Sequence, residues 1–301
     1  GPLAKFDQAS SMVTEMTALA GVMAVHYARD AGLDEAVATA IAETEAPRAA
    51  GDALPTSLPG ALLSMADRLD LLAALFAVGA QPTGSADPFG LRRAARALVT
   101  VAMSGVDPAL DRFSLQAGLD AAAAHLPVDA PDDLADQVLP FVHRRFEQTL
   151  LDDGHRHDLV QAALLHADVP ARVRSTLDAL EAAAGTDRFT LVADALKRAD
   201  RLVGDTDRAA LPAVDAARFE DPTEEALLRE VEAVESAGVV GLTAFLETAE
   251  PMAAALNACL DTVVVMADDQ GVRENRLALL TRVAATGADV VAWSEVESPG
   301  A

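Results

Sequence analysis

Apolar and polar positions alternate along the chain at intervals of three and four residues, the period of a helix buried on one face. Leu277, Leu280 and Ala284 form such a stripe. The pattern predicts helices near 6–29, 33–46, 57–79, 88–104, 132–151, 157–167, 171–184, 188–203, 223–247, 251–269 and 271–286. Asp87-Pro88, Asp107-Pro108 and Asp221-Pro222 each set a capping carboxylate before a proline suited to the first helical position. Asp221-Pro222-Thr223-Glu224 also has the spacing of a capping box. Gly, Pro and Asp gather at 80–87, 105–110, 127–131, 152–156 and 204–207, which read as loops. Thr262 to Met266 is strand-like in composition. It lies in a longer apolar stretch from Met252, which favours a buried helix. No repeat of 20 to 50 residues supports a solenoid.

Composition sharpens the fold class. Hydrophobic residues make up 51% of the 301 residues and aromatics only 4%, so the core is built from Ala, Leu and Val. Such small side chains pack best between close helices, and an all-α fold is expected. Breaks at 127–131 and 204–222 divide the chain into segments 1–126, 127–207 and 208–301. The single Cys259 excludes a disulfide framework and a multi-cysteine zinc site, and fits a reducing cytoplasm. No apolar run is long enough for a transmembrane helix. Gly1-Pro2-Leu3 has none of the features of a signal peptide. It reads as the scar of a protease cleavage, and the chain is expected to begin inside a larger protein.

Charge narrows the partners. Forty-seven acids against 23 bases give a net charge of -24, which repels phosphate and opposes non-specific nucleic-acid binding, though not a local basic face. Only Lys5 and Lys197 are lysines, a ratio that codon bias in a GC-rich genome explains. From Pro88 to Val106 there is no acid, yet Arg92, Arg93 and Arg96 are present. Arg92 and Arg96 are one helical turn apart. Pairing with Asp67 or Asp87 and binding of phosphate both fit these residues. A second basic group is Arg273, Arg276 and Arg282, with Asn275 nearby as a side chain able to read a base edge. On the residues alone, a capped surface helix accounts for this group.

Enzyme signatures are missing. There is no P-loop, GxGxxG, HExxH or Gly-x-Ser-x-Gly elbow. His143, His155, His157 and His166 lie near Asp152, Asp153 and Asp158, but the two-residue spacing of His155 and His157 does not share a helix face, so a solvated loop is expected rather than a metal centre. Asp152-Asp153 and Asp268-Asp269 read as solvated helix ends. No catalytic residue and no metal ligand is assigned.

Several blocks in order carry a resemblance. Lys5-Phe6-Asp7, Met12-Val13-Thr14-Glu15, Gly21-Val22-Met23 and Tyr27-Ala28 open it. Pro47-Arg48, Gly51-Asp52-Ala53-Leu54-Pro55 and Ala66-Asp67-Arg68-Leu69-Asp70 continue it. Its most specific block runs from Pro82-Thr83-Gly84-Ser85 through Asp87-Pro88-Phe89-Gly90 to Leu91-Arg92-Arg93. Gly154 to Val160, Leu196-Lys197-Arg198-Ala199, Val264 to Asp269 and Arg273 to Leu280 follow. Together they resemble the β subunit of bacterial glycyl-tRNA synthetase.

The resemblance implies an HD-like helical domain at 1–126, truncated at its N-terminus, a helical connector at 127–207, and at 208–301 an anticodon-binding domain of the arginyl-tRNA synthetase type. It implies a cytoplasmic, tRNA-binding part of a glycine–tRNA ligase, with tRNA(Gly) and an α subunit or fused catalytic domain as partners, and neither membrane nor DNA. ATP and Mg would serve the absent catalytic part, and no cofactor is expected in this chain. Arg92, Arg93 and Arg96 would face tRNA phosphates or a neighbouring subunit, and Arg273, Asn275 and Arg276 would support anticodon recognition. No His-Asp dipeptide exists except His157-Asp158, so the HD-like domain is read as an inactive scaffold. Thr44, Glu45, Ala20, Ala24 and Thr100 depart from the family pattern. They leave open a diverged helical paralogue that binds tRNA or protein without aminoacylation. An HD-type phosphohydrolase is a third reading.

Overall fold

Helix caps set the architecture of the computed structural model, which describes residues 4–84 and 86–297; Gly1, Pro2, Leu3, Ser85 and residues 298–301 lie outside the described residues. Among the described residues there are thirteen α-helices, short 3-10 turns and no strand, only an isolated bridge between Thr83 and Ala86. The all-α expectation holds.

The chain forms two compact units. One runs through His155 and adds His166–Arg174; the other holds Arg156–Leu165 and the described residues from Ser175 onward. The first contains α1 (Ser11–Glu15), α2 (Val22–Asp30), α3 (Glu35–Glu43), α4 (Leu58–Ala77), α5 (Leu91–Ala102), α6 (Leu115–Ala123) and α7 (Leu134–Asp152). The second contains α8 (His157–Ala163), α10 (Asp187–Val203), α11 (Pro222–Ala237), α12 (Leu242–Thr262) and α13 (Gln270–Thr286). Helix α9 (Pro170–Ala183) carries residues of both.

In the first unit α4 is central and packs on α3, α5, α6 and α7. Met65, Leu69, Leu72 and Phe76 of α4 are buried, as are Val138, Val142, Phe146 and Leu150 of α7 at a strict four-residue spacing. The rings of Phe76 and Phe141 meet at 5.4 Å, tilted by 59° to each other. In the second unit α12 packs on α11 and α10, and α10 on α13. The ring of Trp293 lies 6.0 Å from Phe189 and 5.9 Å from Phe245, and its indole N–H donates to the Gly287 carbonyl at 2.9 Å.

Several boundaries differ from the pattern, each for a local reason. The predicted helix 6–29 is broken into α1, α2 and two 3-10 turns. Ser10 caps α1, and Gly21, at φ +76°, begins α2 with its N–H held by the buried Asp7 carboxylate at 2.7 Å. The helix expected from Asp87-Pro88 begins at Leu91 after Gly90 turns left-handed, and Asp87 still accepts from the Leu91 and Arg92 amides. Asp107 caps only a 3-10 turn. Helix α6 was not predicted because only Leu115 and Leu119 anchor it among alanines. The long 223–247 prediction breaks at Gly238 and Gly241, both at positive φ, and α12 then runs through an exposed Pro251. Val263 to Met266 is neither helix nor strand. Helix α12 ends at Thr262, leaving Val264 and Met266 exposed and Val265 buried. The capping box at Asp221 forms as predicted.

Candidate functional site

In the first unit the loop 44–54 is held from below by one arginine. Arg68 of α4 is 7% exposed and donates to the carbonyls of Thr44 at 3.0 Å, Glu45 at 3.2 Å and Pro47 at 2.9 Å, and to the Ser64 carbonyl and hydroxyl. These charge-assisted bonds replace the hydration that burial removes. Burial pushes Arg68 below the ordinary arginine value, and Asp67 and Glu45 oppose that shift. Asp52 closes the loop by accepting from the amides of Arg48 at 3.1 Å and Ala49 at 2.8 Å. Arg48 itself reaches the carbonyls of Ala18 and Ala20.

The start of α4 is fixed by a second carboxylate. Glu43 accepts from the amide and hydroxyl of Thr56, both at 2.7 Å, and from the Ser57 hydroxyl at 2.6 Å. Burial raises its pKa, but these hydrogen bonds outweigh burial and hold Glu43 below the usual glutamate range. Gly60 is required beside it, because a Cβ there would stand 1.9 Å from Glu43 Oε2.

Between this loop and α5 lies a cavity of about 240 Å³ lined by Arg48, Arg93, Arg96, Thr100, Asp52 and Asp153. Arg93 is exposed and makes no ion pair among the described residues. Arg96 is half-buried and pairs with Asp152 at 3.1 Å. Arg92 points elsewhere. Its guanidinium donates to the Gly84 carbonyl, so the grouping that opens to the cavity is Arg93 with Arg96, three apart, rather than Arg92 with Arg96. Asp67, a suggested partner of these arginines, pairs with Lys5 at 2.5 Å. Arg48 lines the same cavity, a placement that the sequence pattern does not predict. Its signal was a lone base in the Pro47-Arg48…Gly51-Asp52 turn.

The second predicted group is turned inward. Asn275 is 1% exposed, and both polar atoms of its amide are taken by the Asp215 backbone, at 2.7 and 3.1 Å. Arg276 donates to Glu224 at 2.9 and 3.2 Å, to Glu220 at 3.0 Å and to the Val264 carbonyl at 3.0 Å. Arg273 donates to the Ala267 carbonyl at 2.8 Å, and Arg282 pairs with Glu235 at 2.6 Å. These four side chains tie α13 to the loops 205–221 and 263–269 and to α11. Asn275 and Arg276 are thus both buried, at 1% and 7% exposure, against partners within this unit.

Among the described residues no group of three or more His, Cys, Asp or Glu is placed to hold a metal ion, and no helix is long and apolar enough to cross a membrane.

Residues 1–165 match the family model described as "Glycyl-tRNA synthetase beta subunit". The chain belongs to this family. It is 35% identical over 300 residues to "Glycine--tRNA ligase beta subunit" of Streptococcus thermophilus, covering 98% of this chain and 42% of that protein. It is 35% identical over 311 residues to the Myxococcus xanthus protein of the same name, covering 98% of this chain and 44% of that one. It is 34% identical over 285 residues to "Glycine--tRNA ligase, chloroplastic/mitochondrial 2" of Arabidopsis thaliana, covering 94% of this chain and 26% of that protein. The chain thus spans about two fifths of the length of the bacterial β subunits it matches.

Proposed function

We propose that this chain is a tRNA-binding, non-catalytic part of a glycyl-tRNA synthetase β subunit acting in the cytoplasm. It would hold tRNA(Gly) while an α subunit or fused catalytic domain attaches glycine using ATP. The observation that carries this reading is the cavity where Arg93 and Arg96 converge with Arg48 on a chain of net charge -24. A local cationic groove in a repelling field admits phosphate only where the arginines gather. The rim acids Asp52 and Asp153 limit affinity and reject an off-register backbone. Guanidinium groups suit phosphate because they bind it through paired N–H bonds. Family membership supports the same reading. The 1–126 segment then serves as an HD-like scaffold without hydrolysis.

ATP and Mg would serve the catalytic part of the synthetase rather than this chain. Lys5 is paired with Asp67, Lys197 donates to the Val296 carbonyl, and no acid cluster among the described residues suits a metal. No chemical step is assigned to this chain.

Titrating tRNA(Gly) binding against salt tests the reading. A phosphate-bound complex weakens steeply, with log K falling by about 0.7 to 0.9 per log unit of salt for each phosphate contacted. A salt-independent affinity, or none at low salt, would favour the diverged interaction module instead. Glycine-dependent pyrophosphate exchange by the chain alone is expected to stay at background.

A further inference from the structure

A second cavity adjoins the α5 cavity across the 44–54 loop. The two share Pro47, Arg48 and Asp52. The second cavity opens beside α2 and measures about 520 Å³, within the roughly 300–1,000 Å³ range of small-molecule pockets. Its walls are short and apolar, with Val25 from α2, Ala42 from α3, and Ala46 and Ala53 from the loop. Two polar side chains join them, the half-buried Glu45 and the exposed His26 at the mouth. Gly21 keeps the space clear. A Cβ there would stand 3.4 Å from the Ala42 carbonyl oxygen, 3.5 Å from the Arg48 guanidinium and 3.6 Å from Glu45.

The partition between the cavities is fixed in place. Arg68 holds the carbonyls of Thr44, Glu45 and Pro47, and Arg48 is anchored on those of Ala18 and Ala20. A ligand that spans the loop therefore loses little affinity to ordering it.

The two ends differ in chemistry. The α5 end offers Arg93, exposed and without an ion pair among the described residues, beside Arg96. The α2 end is an apolar slot with an acceptor in its wall. The Glu45 carboxylate is loosely held, 3.4 Å from Gln8 Nε2 and 4.0 Å from Lys5 Nζ, while Lys5 sits closer to Asp67 at 2.5 Å. A carboxylate in such a slot accepts from an exocyclic base amine and repels a carbonyl in the same place. An imidazole such as His26 can stack on the base.

We infer that the two cavities form one nucleotide site, with the 5′-phosphate on Arg93 and Arg96, the base in the α2 slot, and Glu45 selecting bases that carry an amine. A free nucleotide and the last nucleotide of an RNA strand present this chemistry alike. The inference deepens the RNA-binding reading, whose two arginines it shares, and adds a base-reading residue to it.

The test uses the whole chain. Calorimetry measures AMP, IMP and ribose 5-phosphate, and anisotropy measures tRNA(Gly) with and without its 3′-terminal adenosine. AMP should bind at least tenfold more tightly than ribose 5-phosphate, and than IMP, which has a carbonyl in place of the amine. Glu45→Gln should bring AMP and IMP within twofold of each other, a change that a merely structural Glu45 would not produce. Ala53→Trp, which fills the slot, should reduce AMP to the affinity of ribose 5-phosphate, and Arg93→Ala should weaken both. Given those results, AMP that displaces tRNA(Gly), with trimming of the tRNA costing less than twofold, assigns the site to a free nucleotide. A tenfold loss on trimming assigns it to the RNA end. No binding of millimolar AMP, or equal affinity for AMP and IMP in the parent chain, overturns the inference, as does an AMP preference that survives Glu45→Gln. If Arg93→Ala still weakens tRNA(Gly) in those cases, the RNA-binding reading stands alone. If AMP binds as expected and tRNA(Gly) does not bind at all, the nucleotide site stands and the RNA-binding reading falls.

Discussion

Arg276 and Glu224 face each other through two parallel hydrogen bonds, Nε to Oε1 at 2.9 Å and Nη2 to Oε2 at 3.2 Å, with the carboxylate only 1% exposed. The same carboxylate accepts from the amides of Glu220 at 2.9 Å and Asp221 at 3.0 Å, completing the capping box of α11. One arginine therefore joins the middle of α13 to the first turn of α11.

Removing Arg276 leaves the Glu224 carboxylate buried without a counter-charge, held only by the Glu220 and Asp221 amides. Breaking a buried pair from one side costs about 3–5 kcal/mol. Arg276→Ala should lower the unfolding free energy obtained from urea titration by that amount while tRNA(Gly) affinity, measured well below the transition, stays within twofold. A stability loss under about 1 kcal/mol, or a selective loss of RNA binding, would show that the pair is not what Arg276 is for.

Acid should act through the same carboxylate. Burial raises the pKa of Glu224, but the bonds from Arg276 and from the Glu220 and Asp221 amides outweigh it and hold the folded value below the ordinary one. The unfolded chain then takes up this proton first as pH falls. The stabilisation is present above the usual glutamate pKa of about 4.3 and disappears as pH drops through the depressed folded value. The stability gap between the parent chain and Glu224→Gln should be constant from pH 7 to 5 and close below pH 4. A gap that widens in acid would reverse the assigned sign.

Gly60→Ala should destabilise the first unit. The new methyl would collide with Glu43, whose Oε2 stands 1.9 Å and Cβ 2.6 Å away, and would dislodge the cap of α4. Overpacking of this kind costs about 1–3 kcal/mol. Thermal melting checks it, and an unchanged or raised melting temperature would mean that Glu43 moves aside freely.

Asp152→Asn should strengthen tRNA binding by about two- to fivefold, because it releases Arg96 from a half-exposed ion pair worth under about 1 kcal/mol and removes a charge that repels phosphate. Fluorescence anisotropy at fixed salt reads this directly. Equal or weaker binding would place Arg96 outside the contact.

The fold class was legible because Ala, Leu and Val at helical spacing leave no other way to bury so much apolar surface. The Asp221 box was legible because its four residues are consecutive. The break at Gly21 was not. It depends on Asp7, fourteen residues away, accepting its amide. The burial of Asn275 and Arg276 was not legible, because their partners, Asp215 and Glu224, lie 60 and 52 residues earlier and no local spacing reveals such pairs. Arg92 looked equivalent to Arg96 by turn geometry, yet the Gly84 carbonyl draws it away from the cavity. Arg48 escaped notice because its place is set by Arg68 holding a loop of carbonyls, an arrangement that exists only after folding.

Arg93 is exposed at the α5 cavity and makes no ion pair among the described residues, so reversing its charge is the most direct test of RNA binding there. The dissociation constant for tRNA(Gly) should be measured for the parent chain and Arg93→Glu at one salt concentration, with circular dichroism confirming equal helicity. Charge reversal at a phosphate contact is expected to weaken binding at least tenfold, consistent with losses of about 1–3 kcal/mol for single nucleic-acid contacts. Affinities within twofold of each other, in two equally folded proteins, would contradict it.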